Sequence, residues 1–258
     1  IGDRVITVID NRQQRLQNIV SELMTEFKTP GTYVHLGYEA VTLSQNTVEQ
    51  LGFSTAGKDV QMSGRKGIYV NADEIIEKLE DRILHESKKR NPDLSDSDLS
   101  KIAHDVAVGT IRYEMIKPDL DKIITFDIDT SLKIEGDTCS YIQYSYARAS
   151  RILEKSGNKP NFSVTFDNIK NEHEIKLVKQ IAIFQMHVKD AARNYSPKVL
   201  AKYCYNLAVT FSSFYEHVKV LNAESPELLN SRLCLVLAFQ NTLKNALDLL
   251  GIVSPERM

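Results

Sequence analysis

The sequence predicts an α/β front part followed by an all-α helical bundle, with helix predominating overall. Three observations carry that expectation. Arg4 to Ile9 is a short β-branched run, Leu16, Ile19, Val20, Leu23 and Phe27 then recur at helical spacing, and Tyr33 to Leu36 is a second short apolar run. That order is a β-α-β unit, whose parallel strands need a crossover between them. Beyond Tyr141 the apolar spacing is helical almost throughout. Gly and Pro, 11 and 7 of 258 residues, leave few places for the pattern to break. The expected division is residues 1–138 and 139–258.

In chain order, the opening run is expected to be a buried strand ending at Asp10. In open α/β sheets ligands lie beyond the carboxyl ends of the strands, which puts Asp10 and Gln13 where a ligand would sit. The alternative is that Asp10 only caps the helix that follows. His35 belongs to the second strand and reads as packing. A short helix near Thr47 to Leu51 and a surface loop lead to Gln61-Met62-Ser63-Gly64-Arg65-Lys66-Gly67. Two glycines, a hydroxyl and two adjacent cations suit a polyphosphate, although a basic surface loop would have the same composition. It is not a Walker A loop, because the glycine spacing and the Lys-Ser/Thr ending are absent.

Leu99 to Met115 reads as a helix. Ser196-Pro197 reads as a helix start with a capping hydroxyl, and Leu200, Tyr203, Leu207, Phe211, Phe214, Val218 and Leu221 form one stripe. Leu233, Val236, Leu237, Leu243, Leu247 and Leu250 form another, stopped by Gly251. Long helices with short connections make a bundle.

Charge divides unevenly. Residues 139–258 hold 15 Lys and Arg against 10 Asp and Glu, or +5, which leaves −7 for the front part. A polyanion partner for the back half, or an ordinary solvated helical surface, fits equally. Cys139, Cys204 and Cys234 have neither metal-ligand nor disulfide spacing and are expected as buried thiols in a reducing compartment. No apolar run approaches the roughly 20 residues of a membrane span. The chain opens on Ile1 inside a strand pattern, so a piece of a longer polypeptide is expected.

The 61–67 loop resembles the KMSKS-type loop of class I aminoacyl-tRNA synthetases, in the MSxRKG form of the arginyl-tRNA synthetases. Five further segments match that family in order. Ile68-Tyr69-Val70 with Ala72 to Ile76 resembles the strand and helix behind the loop; Ala107 to Tyr113 resembles AVGAIRY; Phe126-Asp127-Ile128-Asp129 resembles the F-D-hydrophobic motif. Glu135-Gly136-Asp137-Thr138 with Tyr141-Ile142-Gln143-Tyr144-Ser145-Tyr146-Ala147-Arg148 is close to EGDTGPYLQYAHAR, and Leu249 to Met258 matches LLGI...PERM.

The resemblance implies a partial Rossmann-like remainder of a catalytic domain, then an anticodon-binding bundle. It implies ATP-phosphate roles for Ser63, Arg65 and Lys66, with Met62, Asp10 and Gln13 nearby, and ATP as a substrate accompanied by Mg2+ rather than a protein-bound structural metal. Gln61 and Gly64 stand where the KMSKS form has lysines, which displaces Lys66 by two positions. It implies contacts to the anticodon loop of arginine tRNA by Tyr144, Tyr215 and Met258, with Arg148 one turn from Tyr144 as a phosphate or base partner. A salt bridge inside the bundle is the alternative for Arg148. Most of the tyrosines at 141, 144, 146, 195, 203, 205 and 215 are expected in the core. No HIGH motif occurs in the sequence, so this chain alone is expected to form no arginyl-adenylate. A cytoplasmic monomer is expected. A non-catalytic tRNA-binding module or synthetase paralogue is the competing reading.

Overall fold

The computed structural model describes residues 3–53 and 70–258. They fall into two compact units, one within residues 1–69 together with 118–127, the other residues 70–117 together with 128–258. The sequence placed a boundary at 138/139. The division differs because, of two long helices before that point, the second packs on bundle helices and the first packs on the second.

In the first unit, strand β1 (Arg4–Asp10) pairs in parallel with β2 (Thr32–Tyr38), and helix α1 (Gln14–Glu26) makes the crossover. The β-α-β unit is therefore present. Its burial is not as expected: Val5, Ile6 and Val8 of β1 are 38%, 45% and 63% exposed, and Leu16 on α1 and Phe27 at its end are open as well. A parallel strand is buried when layers cover both faces. Among the described residues of this unit β1 pairs with β2 alone, and nothing covers the outer apolar face. Strand β3 (Val41–Leu43) pairs in parallel with β4 (Ile124–Phe126). Ser44 caps helix α2 (Gln45–Gln50) through the Thr47 amide at 3.1 Å and donates to Asp127 Oδ2 at 2.6 Å, which gives the Phe126-Asp127 motif a structural task.

The second unit is helical. Helices α3 (Ala72–Arg90) and α4 (Asp96–Ile116) pack together, with Ser95 capping α4. After the short α5 (Ile128–Ser131) come α6 (Cys139–Ser156), α7 (Glu172–Ala182), α8 (Phe184–Asn194), α9 (Pro197–His217) and α10 (Pro226–Leu249). Both predicted stripes enter the core, although Leu237 and Leu250 of the second are only half-buried. Leu200, Tyr203, Leu207, Phe211, Phe214 and Val218 are buried on or just beyond α9, whereas Leu221 lies past its end and is exposed. Phe211 stacks on Phe239 of α10 with centroids 3.8 Å apart. Pro197 opens α9 as expected, but the Ser196 hydroxyl makes no capping bond. All three cysteines are buried, and burial pushes the Cys139 and Cys204 thiols up, which keeps them protonated.

The family-like segment before α6 is an anchor. Gly136 takes a left-handed φ of 78°, Thr138 caps the Tyr141 amide at 3.2 Å, and its hydroxyl donates to the Lys133 carbonyl at 2.6 Å. Asp137 accepts the buried Tyr113 hydroxyl of α4 at 2.5 Å, and its carbonyl accepts Lys117 Nζ at 2.9 Å. Burial first, then the Asp137 carboxylate, drive the Tyr113 phenol far up, so it stays a donor. Gly109 lets α4 approach α6: a Cβ there would lie 3.0 Å from Gln143 Nε2 and 3.2 Å from both Cys139 Sγ and Ile252 Cγ2.

Gly251 ends α10 with φ +66°, and its carbonyl accepts Arg112 Nη1 at 2.6 Å. Gly251→Ala is expected to cost about 1–2 kcal/mol, since a Cβ disfavours left-handed backbone and would also displace Arg112. A lowered urea midpoint with unchanged slope checks it.

Candidate nucleic-acid interface

Helix α6 has two faces. Ile142, Tyr146, Ala149 and Ile152 are buried, while Tyr141, Tyr144, Arg148, Arg151 and Lys155 recur at spacings of 3, 4, 3 and 4 along a half-buried to exposed stripe. That spacing keeps the stripe on one side of the helix. Opposite it runs α9. Tyr141 Oη donates to Ser212 Oγ at 3.0 Å and its ring meets that of Tyr205 at 5.9 Å, with Lys202 Nζ 4.7 Å from the Tyr205 centroid.

Farther along, the Arg148 guanidinium carbon lies 4.7 Å from the Tyr144 centroid and 4.6 Å from the Tyr215 centroid. Two ring faces therefore hold the Arg148 cation, and no carboxylate pairs with it among the described residues. A salt bridge inside the bundle is not what Arg148 makes. The rings attract it through their quadrupoles and leave the guanidinium N–H donors for other acceptors. Beside this stack a cavity of about 420 Å³ is lined by Arg148, Arg151, Ile152, Lys155, Glu216 and Lys219, among others.

The structure thus brings Tyr144, Arg148 and Tyr215 together. Met258 lies apart, lining a different cavity of about 570 Å³ with Lys78, Arg82, Arg90, Asp129 and Lys133. Its neighbour Arg257 ties the tail down, with Nη1 2.7 Å from Asp93 Oδ2 and Nη2 3.0 Å from Glu154 Oε1. Of the bundle tyrosines, Tyr146 and Tyr203 are in the core, fewer than expected. Tyr141, Tyr144, Tyr195 and Tyr205 are half-buried and Tyr215 is exposed, because each of the first four keeps part of its ring at the helix surface.

Asp10 is committed locally. Its carboxylate caps the Arg12 amide at 2.8 Å and takes Arg12 Nε and Nη2 at 2.9 and 2.8 Å, an arrangement that holds it at about 2. Asp10 therefore caps the short turn at residues 11–13, and Gln13 is exposed beside it with no capping bond. Met62, Ser63, Arg65 and Lys66 lie outside the described residues. Sequence reasoning passed over Arg151, Lys155 and Lys219. The 3-4-3-4 spacing from Tyr141 to Lys155 carried a signal for the first two, whereas Lys219 joins them only through helix packing.

Residues 142–258 match the DALR anticodon binding domain, so the stack and the basic cavity lie on that domain. The arginine–tRNA ligase of Methanothrix thermoacetophila is 40% identical over 200 residues, covering 78% of this chain and 36% of its own length. That of Methanobrevibacter smithii is 33% identical and covers 100% of this chain and 42% of its own. The Thermus thermophilus arginyl-tRNA synthetase structure superposes with a TM-score of 0.84 at 32% identity, over 100% of this chain and 41% of that one. The chain belongs to the arginyl-tRNA synthetase family. It spans about two fifths of the length of these synthetases. Within this chain, Asp137 and Thr138 serve to seat α6, the helix that presents Tyr144 and Arg148.

Two cation–π contacts at about 0.5–1 kcal/mol each make Arg148→Ala an expected loss of roughly 1–2 kcal/mol. Arg148→Lys should recover part of that loss. Chemical denaturation of the two variants beside the parent chain checks the order.

Proposed function

We propose that this chain supplies anticodon-loop binding and the ATP-phosphate loop to an arginine–tRNA ligase acting in the cytoplasm. The observation that carries the proposal is the Tyr144–Arg148–Tyr215 stack on a domain that matches an anticodon-binding family. Unpaired bases are recognised by stacking on aromatic or guanidinium planes and by hydrogen bonds to their edges. Arg148, held between two rings, offers N–H donors in a fixed orientation, and Tyr215 offers an exposed ring.

In the whole enzyme, the arginine carboxylate oxygen attacks the α-phosphorus of ATP. The bond to the bridging oxygen breaks, and pyrophosphate leaves. A terminal ribose hydroxyl of arginine tRNA then attacks the carbonyl of arginyl-adenylate, loses its proton, and expels AMP. Neither step needs a covalent enzyme intermediate, so rate comes from positioning and from cations that neutralise phosphate charge. Ser63, Arg65 and Lys66 are assigned that charge-neutralising role on resemblance, with Met62 in the same loop. Mg2+ is expected to arrive with the ATP phosphates, and no residue is assigned to it. Gln13 is assigned to the ligand end of β1. Asp10, held by Arg12, is assigned to the same end. Met258 is assigned to the anticodon loop on resemblance, although it lines a cavity separate from the stack.

The 258-residue chain by itself is expected to show no arginine-dependent ATP–pyrophosphate exchange; measurable exchange would contradict the division of labour. Tyr144→Ala and Tyr215→Ala are each expected to weaken binding of arginine tRNA by roughly 1–3 kcal/mol. They should weaken a non-cognate tRNA less, as measured by filter binding at fixed salt. Equal loss for both tRNAs, or none, would count against anticodon reading.

A further inference from the structure

The basic cavity next to the stack has no task in the reading above. Four of its lining side chains are cations, Arg148, Arg151, Lys155 and Lys219, against the single carboxylate of Glu216. Arg148 is taken up by two tyrosine rings, and Arg151 is weakly paired with Glu154 at 3.7 Å. Lys155 and Lys219 make no ion pair among the described residues, and both are exposed. The floor between them is apolar, from buried Ile152, Val218 and Val220. An apolar floor cannot compete for the ammonium groups.

The order of residue types along the groove is also informative. From Tyr141 to Lys155 the α6 stripe runs for about 21 Å at 1.5 Å per residue. Its first half is aromatic, with Tyr141 and Tyr144 on α6 facing Tyr205 and Tyr215 on α9. Its second half is cationic, with Arg151 and Lys155 on α6 facing Lys219 beyond α9. A groove that offers ring faces and then cations matches a single strand, whose bases stack and whose phosphates carry the charge.

We propose that the cavity lined by Arg151, Lys155 and Lys219 is a backbone-phosphate subsite of a single-stranded RNA track running along α6 and α9, entered from the Tyr144–Arg148–Tyr215 stack. This rests on the reading of the bundle as a tRNA binder and adds to it a division of labour. The ring end discriminates between sequences, and the cationic end binds any of them. The competing explanation is that Lys155 and Lys219 only complement the negative ends of α6 and α9, near whose C-termini they lie. That role would show in stability and leave RNA binding unchanged.

The experiment titrates the full chain with a labelled anticodon stem-loop of arginine tRNA, and with a non-cognate loop, across a salt series. The proteins are the parent, Lys155→Ala/Lys219→Ala, Lys155→Arg/Lys219→Arg, Lys101→Ala on α4 as a remote charge control, and Tyr144→Ala. Circular dichroism and thermal unfolding confirm that each is folded. Each phosphate contact contributes a slope of about 0.7 in log K against log salt for a single strand. The double alanine variant is therefore expected to flatten the slope by about 1.4 and to weaken both loops by the same factor. The arginine pair should restore the parent slope, and Lys101→Ala should leave it unchanged. An unchanged slope in the double alanine variant, with Tyr144→Ala still losing cognate binding, overturns the phosphate subsite and leaves the anticodon reading standing. An equal flattening by Lys101→Ala overturns it too, since net charge would then explain the effect. Failure of the parent to bind either loop overturns both readings.

Discussion

The structure of the helical unit depends on the close approach of α4 and α6 at Gly109. No side chain separates the helices there, so Gln143, Cys139 and Ile252 all come to within 3.0–3.2 Å of where a Cβ would stand. A single methyl group would have to push three neighbours in a packed interior, which yields little without strain. The contact also locks the tail: Ile252 is 1% exposed, and Gln143 Nε2 donates to the Val253 carbonyl at 2.8 Å. The segment after α10 is thus part of the same joint. Tyr113 and Asp137, one turn along, set the rotation of α6 about its axis.

That rotation decides what α6 shows. With Ile142, Ala149 and Ile152 turned inward, residues at 141, 144, 148, 151 and 155 are turned toward α9 and solvent. Tyrosine suits the boundary because its ring can bury while its hydroxyl finds a partner, as Tyr141 does with Ser212. Arginine is harder to place. Its charge is costly to bury without an anion, and two cation–π contacts recover only about 1–2 kcal/mol between them. Arg148 is therefore left half-buried, held by rings yet with its donors available. A helix built only for stability would place an apolar residue or an ion pair at that position.

Much of this was legible in sequence, and the failures share a cause. Apolar spacing at 3 and 4 places the α9 and α10 stripes because a helix imposes its own period. Gly251 marks a helix end because left-handed backbone is a local requirement. Asp10, by contrast, looks like a ligand from its position at a strand end. It is occupied by Arg12 two residues on, and only geometry decides between those partners. β1 reads as buried because its composition is that of a covered strand, yet exposure depends on what lies over it. Lys219 and Met258 are set by contacts distant in sequence, so no local pattern could assign them to their cavities. The tyrosines differ for a related reason: their type predicts a boundary residue, and helix packing, not residue type, decides that Tyr141 and Tyr144 stay on the outward face of α6.

Charge shows how the local and global levels combine. The excess of +5 after residue 138 is not spread evenly over the bundle. On α7 and α10, Lys176 pairs with Glu172 and Lys244 with Asp248, each at i,i+4 spacing, and Arg232 reaches buried Glu174 at 2.7 Å. Exposed pairs of this kind add little stability, about 0.3–0.5 kcal/mol on a helix. They do cancel the field over those faces. Around the stack the balance is different, because Glu216 is the one carboxylate in the cavity lining and Glu154 is shared between Arg151 and Arg257. Positive potential therefore persists along the groove beside the exposed ring of Tyr215, where low-dielectric walls focus it. The helix packing that seats α6 also brings two oppositely facing rows into register, and the net charge of the half becomes useful only through that register.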